Sequence, residues 1–155
     1  MATPRSRFSL LPALFAALVF GLASVSGAAS AEKPGEIHVT TRTGKHRLSV
    51  EWAVTPAERE HGLMGREKMA QNHGMLFDFG SEQQLYFWMK NTPLSLDMIF
   101  IKSDGRTSRI EHNATPFSEA LIPGGEPARY VLELVGGSAD RLALAPGDRF
   151  SIPKH

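Results

Sequence analysis

Apolar and β-branched positions recur along the chain in short runs with partial two-residue alternation, and turn residues separate them. Ile37–Thr43 and His46–Val54 read as two strands joined at Gly44-Lys45, a two-residue turn that makes them an opening hairpin. The pattern then changes at Thr55-Pro56-Ala57-Glu58. Thr55 is placed to cap a helix, Pro56 has the φ of a first helical residue, and Glu58 stands three positions on to complete a capping box. The helix is expected to end near His61, because Gly62 permits the left-handed turn that closes helices, and Gly65 follows in a tight connection expected to turn Met64 inward.

Further apolar runs follow at Gly74–Phe79, Leu85–Met89 and Leu96–Lys102. Asp104-Gly105 and then Thr107–Glu111 give a strong hairpin signal after the last of these. Asn113–Arg129 carries Pro116, Pro123, Gly124, Gly125 and Pro127 and reads as a long surface loop. Tyr130–Val135 is another strand, Ser138 is placed to cap a short helix through Leu144, and Arg149–Ile152 is a terminal strand. Strands far outnumber helices. The expected fold is mainly β, a jelly-roll-like sandwich or barrel with one or two short helices.

The N-terminus has a different character. Arg5 and Arg7 precede an apolar run over Leu10–Leu22, and small residues lead to Ala29-Ser30-Ala31. This is the order of a signal peptide cut after Ala31, and the apolar run falls short of the roughly 20 residues of a spanning helix. The expected organisation is a signal peptide over 1–31, a leader over 32–36 and one domain over 37–153, exported to the periplasm or beyond and not inserted in the membrane after cleavage. The whole chain of 155 residues has 17 Lys+Arg against 16 Asp+Glu; removing residues 1–31 removes two arginines and no acid, leaving 15 against 16 and a formal charge of −1. A balance so close to neutral does not favour a nucleic-acid surface.

The composition narrows the chemistry. With no cysteine, a disulfide framework, a thiolate nucleophile and thiolate-ligated metal are all excluded. P-loop, dinucleotide-binding, HExxH and GxSxG patterns do not occur. Met64, Met69, Met75, Met89 and Met98 could offer thioethers to Cu(I), but methionines also fill irregular apolar gaps beside aromatic rings, so no cofactor is expected.

Several motifs together resemble the DUF192 (UPF0127) family of uncharacterised proteins. They are Gly62-Leu63-Met64-Gly65-Arg66, Gly74-Met75-Leu76-Phe77, Phe87-Trp88-Met89-Lys90-Asn91-Thr92, Leu96-Asp97-Met98-Ile99-Phe100-Ile101, Asp104-Gly105 and Gly147-Asp148. Ser95-Leu96-Asp97 stands where the family usually has Pro-Leu-Asp, with a proline earlier at Pro93. The resemblance spans roughly residues 37–153 and implies export and a β-rich jelly-roll or barrel-like domain, but no activity.

Candidate chemistry concentrates at residues 87–97. As a strand, this segment would put Phe87, Met89 and Asn91 on one face and Trp88, Lys90 and Thr92 on the other. Lys90, Asn91 and Thr92 beside an aromatic wall can hold a polar or anionic ligand, or simply end a core strand. Asp97 opens an apolar strand and needs a partner such as Lys90 or Arg66 if it is buried. Glu133 interrupts Tyr130–Val135, and with Asp97 it would form a carboxylate pair suited to hydrolysis if the two approach each other. Arg66 and Arg129 are a further candidate pair for an anion. The sequence therefore leaves open three functions: a non-catalytic periplasmic small-ligand-binding or accessory domain, a small hydrolase or carbohydrate-active enzyme using Asp97, alone or with Glu133, and a module that docks on another envelope protein.

Overall fold

The computed structural model describes residues 35–154; the expected signal peptide lies outside the described residues. In chain order the elements are β1 (Gly35–Thr41), β2 (Gly44–Ala53), α1 (Pro56–His61), β3 (His73–Gln83), β4 (Tyr86–Phe87), β5 (Leu96–Ile101), β6 (Thr107–Ala114), β7 (Ile122–Pro123), β8 (Ala128–Val135), α2 (Ser138–Arg141) and β9 (Arg149–Ser151). The fold is mainly β with two short helices, as the turn-punctuated pattern implies. Gly35 and Glu36 belong to β1, so the strand takes in the end of the expected leader.

Seven strands form one sheet in the order β6-β5-β8-β3-β2-β1-β9, while β4 and β7 make a separate ribbon. Neighbours in the large sheet are antiparallel except β2 and β3, which α1 and its following loop connect as a parallel pair. The sheet curls until its two edges meet at one end. There the Thr107 N–H donates to the Asp148 carbonyl and the Phe150 N–H to the Gly105 carbonyl, each at 2.8 Å, and Arg106 bridges Arg149.

Curling gives the central strands two buried faces. One packs Ile37, Val39, Val50, Leu76, Ile99, Leu132 and Leu134. The other packs Met75, Phe77, Met89, Met98, Phe100 and Val131. Every residue of β5 is buried, the pattern of a strand covered on both sides. Four methionines, Met69, Met75, Met89 and Met98, belong to or pack against the second core, in the gap-filling role open to thioethers.

The opening hairpin is present, but its turn is Arg42-Thr43, because Thr41 pairs with Gly44 and the strand already includes Gly44-Lys45. The α1 capping box is complete: Glu58 N–H donates to Thr55 Oγ1 at 3.2 Å, and Thr55 N–H donates to Glu58 Oε2 at 2.8 Å. The Thr55 N–H and the Val54 N–H, which donates to the same oxygen at 2.9 Å, hold the Glu58 carboxyl below its ordinary range. Three other expectations are corrected. β3 continues through Gly80 to Gln83 across a bulge. The supposed structureless loop contains β7, which pairs with β4. In α2, Gly137 occupies the N-cap and Ser138 is the first helical residue, and the helix is only four residues long. The ribbon lies close against the second core: a Cβ at Gly124 would stand 2.9 Å from the Phe100 ring, so only glycine fits without a shift.

Candidate functional site

The polar residues singled out in the sequence separate into distinct places once folded. Asp97 is fully buried on the face of β5 that meets α2. Its Oδ1 accepts from the Asn113 N–H at 2.8 Å and its Oδ2 from the Ala139 N–H at 2.7 Å. Both oxygens are occupied by backbone donors, and the expected ion pair with Lys90 or Arg66 is replaced by this double cap. Arg66 instead grips Glu51 through two nitrogens at 2.5 and 2.8 Å. The same carboxylate meets His73 Nε2 at 2.7 Å, and His73 Nδ1 lies 2.6 Å from Ser49 Oγ. Hydrogen bonding from Arg66 is the main influence that holds Glu51 below the usual carboxylate range, against partial burial. Arg129 binds Asp78 in the same forked way, at 2.9 and 3.0 Å. The two arginines are each engaged with a separate carboxylate, not jointly presented to an anion.

Register also decides the carboxylate pair. Along β5 and β8, Asp97 stands opposite Leu134 and Met98 opposite Glu133. Asp97 therefore shares the Leu134 face and Glu133 the Met98 face, so the sheet separates the two acids and no hydrolytic pair exists.

Glu133 faces the second core and the floor of a cleft of about 260 Å³. α1 contributes Arg59, Glu60 and His61 to the cleft; the turn after it contributes Gly62, Leu63 and Met64; β3 contributes Phe77 and Phe79. Tyr86, Phe87, Trp88, Lys90 and Thr92 form the opposite wall. A neighbouring depression of about 380 Å³ continues over the rim between Ala57 of α1 and Asn91. Three of the candidates, Trp88, Lys90 and Thr92, thus line the cleft together with Glu133, and Asn91 borders its rim.

The local chain path explains this wall. The strand ends at Phe87, so alternation does not run to Thr92 as expected. Met89 is buried, its N–H held by the Ser118 carbonyl at 2.8 Å. Thr92 turns inward, where its hydroxyl donates to the Lys90 carbonyl at 3.1 Å. Asn91 adopts φ +54°, and its carbonyl accepts from the Gly65 N–H at 2.8 Å. Gly65 itself has φ +72°. Of the pair between these glycines, Leu63 is buried and Met64 is only half-buried on the cleft wall, which corrects the expectation that Met64 turns inward.

The aromatic residues are mutually braced. Phe87 meets Phe77 edge-to-face with centroids 5.3 Å apart, and meets Phe79 and Phe100 at 6.1 and 6.0 Å. Lys90 Nζ lies 5.0 Å from the centroid of the Trp88 ring and has no carboxylate partner among the described residues. Arg59 lies 5.0 Å over Phe79, but its guanidinium donates to the carbonyls of Val54 and Asp78.

Glu133 has the most unusual environment. It is 4 % exposed, its cross-strand neighbours are Met75 and Met98, and no group among the described residues hydrogen-bonds its carboxyl. Burial pushes its pKa up to about 8, so the group is largely protonated at neutral pH. No cluster of three or more metal-ligating side chains occurs among the described residues. The sequence signal for Glu133 was its place in an apolar strand. Phe77, Phe79 and the α1 side chains carried no comparable signal, because only folding brings them opposite Trp88.

A curled β-sheet with a capping-box helix and an aromatic ribbon over one face places the chain in a recognisable class of small β-rich domains. The chain belongs to the family DUF192, described as "Uncharacterized ACR", whose model matches residues 38–152. Among solved structures it is similar to a candidate transcription regulator from Sinorhizobium meliloti 1021, with 51% identity, a TM-score of 0.75, and coverage of 77% of this chain and 93% of that one. It is also similar to a protein of unknown function from Novosphingobium aromaticivorans DSM 12444, with 37% identity, a TM-score of 0.77, and coverage of 81% and 89%. No curated protein matches the chain.

Proposed function

We propose that this protein is a non-catalytic, exported binding protein that takes a small polar molecule into the cleft between α1 and β4. The observation that carries this reading is the buried, unpartnered Glu133 carboxyl at the floor of an aromatic-walled cleft. A polar group buried without a hydrogen bond costs stability, and a carboxyl left so at the floor of a cleft is placed where a ligand can supply the missing partner. Export rests on the N-terminal residue pattern. The nearly even charge of residues 32–155, and helices of only six and four residues among the described residues, favour a small molecule over a nucleic acid.

A second reading has its own support. Tyr86, Trp88, Phe117 and Leu121 are 58, 40, 63 and 66 % exposed, and such side chains can form a contact surface for an envelope protein. Thermal unfolding of the protein against a panel of small acids, amines, zwitterions, sugars and nucleotides distinguishes the two. A ligand raises the midpoint, and the rise is lost in Glu133→Gln and Trp88→Ala. No response to any compound, or a response that survives both variants, overturns the cleft as the binding site and moves the weight to the protein partner.

A further inference from the structure

The floor and mouth of the cleft differ in charge and in what holds that charge. At the floor, a single buried carboxyl lies between two methionines in a cleft that Phe77 and Phe87 also line, with no hydrogen-bond or ion-pair partner among the described residues. At the mouth, Lys90 rests on Trp88 without an acidic partner among the described residues. We propose that the cleft receives a small zwitterion, with its ammonium group inserted among the aromatic rings against Glu133 and its acidic end turned outward to Lys90. This deepens, and rests on, the reading of the cleft as a ligand site.

The chemistry favours an organic cation over the other occupants of a carboxyl-floored pocket. Aromatic faces attract cations through their quadrupoles, more strongly where water is excluded. A hard metal ion needs several oxygens, whereas Glu133 is the only buried carboxylate among the described residues that line the cleft, and the Thr92 hydroxyl is already directed at the Lys90 carbonyl. The space, about 260 Å³, lies just below the roughly 300–1,000 Å³ of sites for drug-sized ligands, which suits a smaller molecule.

The titratable and charged groups that share the cleft with Glu133 are few. α1 presents Arg59, Glu60 and His61, and the β4 segment presents Tyr86 and Lys90. β3 and β5, the strands on either side of Glu133, present only Met75, Phe77 and Met98 beside it, and Asp97 lies on the far face of the sheet. An ammonium group arriving at the floor therefore acts on Glu133 directly. It favours the carboxylate, so binding expels the proton that the empty site holds, and affinity is linked to pH.

The test is calorimetric titration of the protein with choline, glycine betaine, γ-aminobutyrate and 3,3-dimethylbutanol, the uncharged isostere of choline, between about pH 6 and pH 9. The expected affinity of the ammonium compounds rises about tenfold per pH unit up to the Glu133 pKa and is level beyond it. Dimethylbutanol is expected to bind at least about tenfold more weakly than choline at the upper end, with no rise. Glu133→Gln removes the pH dependence, while Lys90→Met weakens glycine betaine and spares choline. Equal binding of choline and dimethylbutanol, affinity that falls as pH rises, or failure of every ammonium compound overturns the proposal. An unchanged betaine affinity in Lys90→Met overturns the outward placement of the acidic end. Any of these results leaves the cleft reading standing if another compound of the wider panel binds and responds to the cleft variants, so the two failures are distinguishable.

Discussion

Asp97 and Glu133 lie on neighbouring strands one register position apart, both almost without solvent contact, yet they occupy opposite kinds of surroundings. On the α2 side, Asp97 receives one backbone N–H on each oxygen and ties the start of α2 and the end of β6 to β5. On the α1 side, Glu133 receives none and looks into a cleft. Burial is common to both, so it cannot tell a structural acid from a binding one. The difference lies in satisfaction: a closed network stabilises the fold, whereas an open one leaves capacity for a ligand.

The largest effect that can break this contrast is at Asp97. Asp97→Leu removes two charge-assisted hydrogen bonds, leaving the Asn113 N–H without its acceptor and stranding the Ala139 N–H in the interior. The expected loss is about 3–5 kcal/mol, measured by urea denaturation. A loss below about 1 kcal/mol would show that the double cap is not what holds α2 in place.

Glu133 should behave in the opposite sense. Its folded pKa, about 8, lies above the ordinary 4.5, so between these values the native state keeps a proton that the unfolded chain has released. Stability therefore falls as pH rises through that window and levels off above it, by an amount on the order of 4 kcal/mol. Glu133→Met removes this decline and is expected to be more stable than the parent by about 2–4 kcal/mol near pH 9, with little difference near pH 5. Parallel stability–pH curves for parent and variant would refute the assignment.

These two acids also show how far the sequence could be read. The capping box at Thr55-Pro56-Ala57-Glu58 is a local device, complete within four residues, and it forms as the spacing predicts. Strand positions were legible for the same reason, since alternation and turns are local. The face of Glu133 was not legible: β8 is covered on both sides, and where both faces are buried an alternating pattern cannot say which one a polar residue meets. Asp97 was unreadable in another way. Its partners are backbone donors 16 and 42 residues away, and every non-proline residue supplies such a donor whatever its side chain. The 87–92 segment misled because a strand pattern continued in sequence beyond Phe87, where the chain turns to satisfy Met89 through Ser118.

A smaller effect tests the rim of the cleft, where Gly65 and Asn91 meet through one hydrogen bond and both have positive φ. A Cβ at Gly65 would meet no atom within 4 Å, so the cost expected for Gly65→Val is mainly conformational, about 1–2 kcal/mol. Asn91→Gly relieves the same kind of strain and is expected to be neutral or stabilising by up to about 1 kcal/mol. Thermal melts of the two variants should shift in opposite directions or leave Asn91→Gly unmoved. Destabilisation by Asn91→Gly would mean that its side chain, which reaches toward Met64 Sδ at 4.0 Å, contributes more than its backbone conformation.

The smallest stability change is expected where the binding change is largest. Trp88 is 40 % exposed, and its ring supports Lys90 without joining either buried core. An exposed cation–π contact is worth about 0.5–1 kcal/mol, so Trp88→Ala should unfold within about 1 kcal/mol of the parent. For a ligand held between Trp88 and the α1 side of the cleft, the same truncation removes part of one wall, and a loss of about tenfold or more in affinity is expected. A residue that contributes little to folding and much to binding is the counterpart of Asp97, which lies on the other face of the sheet from this cleft. If Trp88→Ala instead lost several kcal/mol of stability, the ribbon would be part of the structural core, and the division of the molecule into a closed side and a receptive side would have to be redrawn around β4.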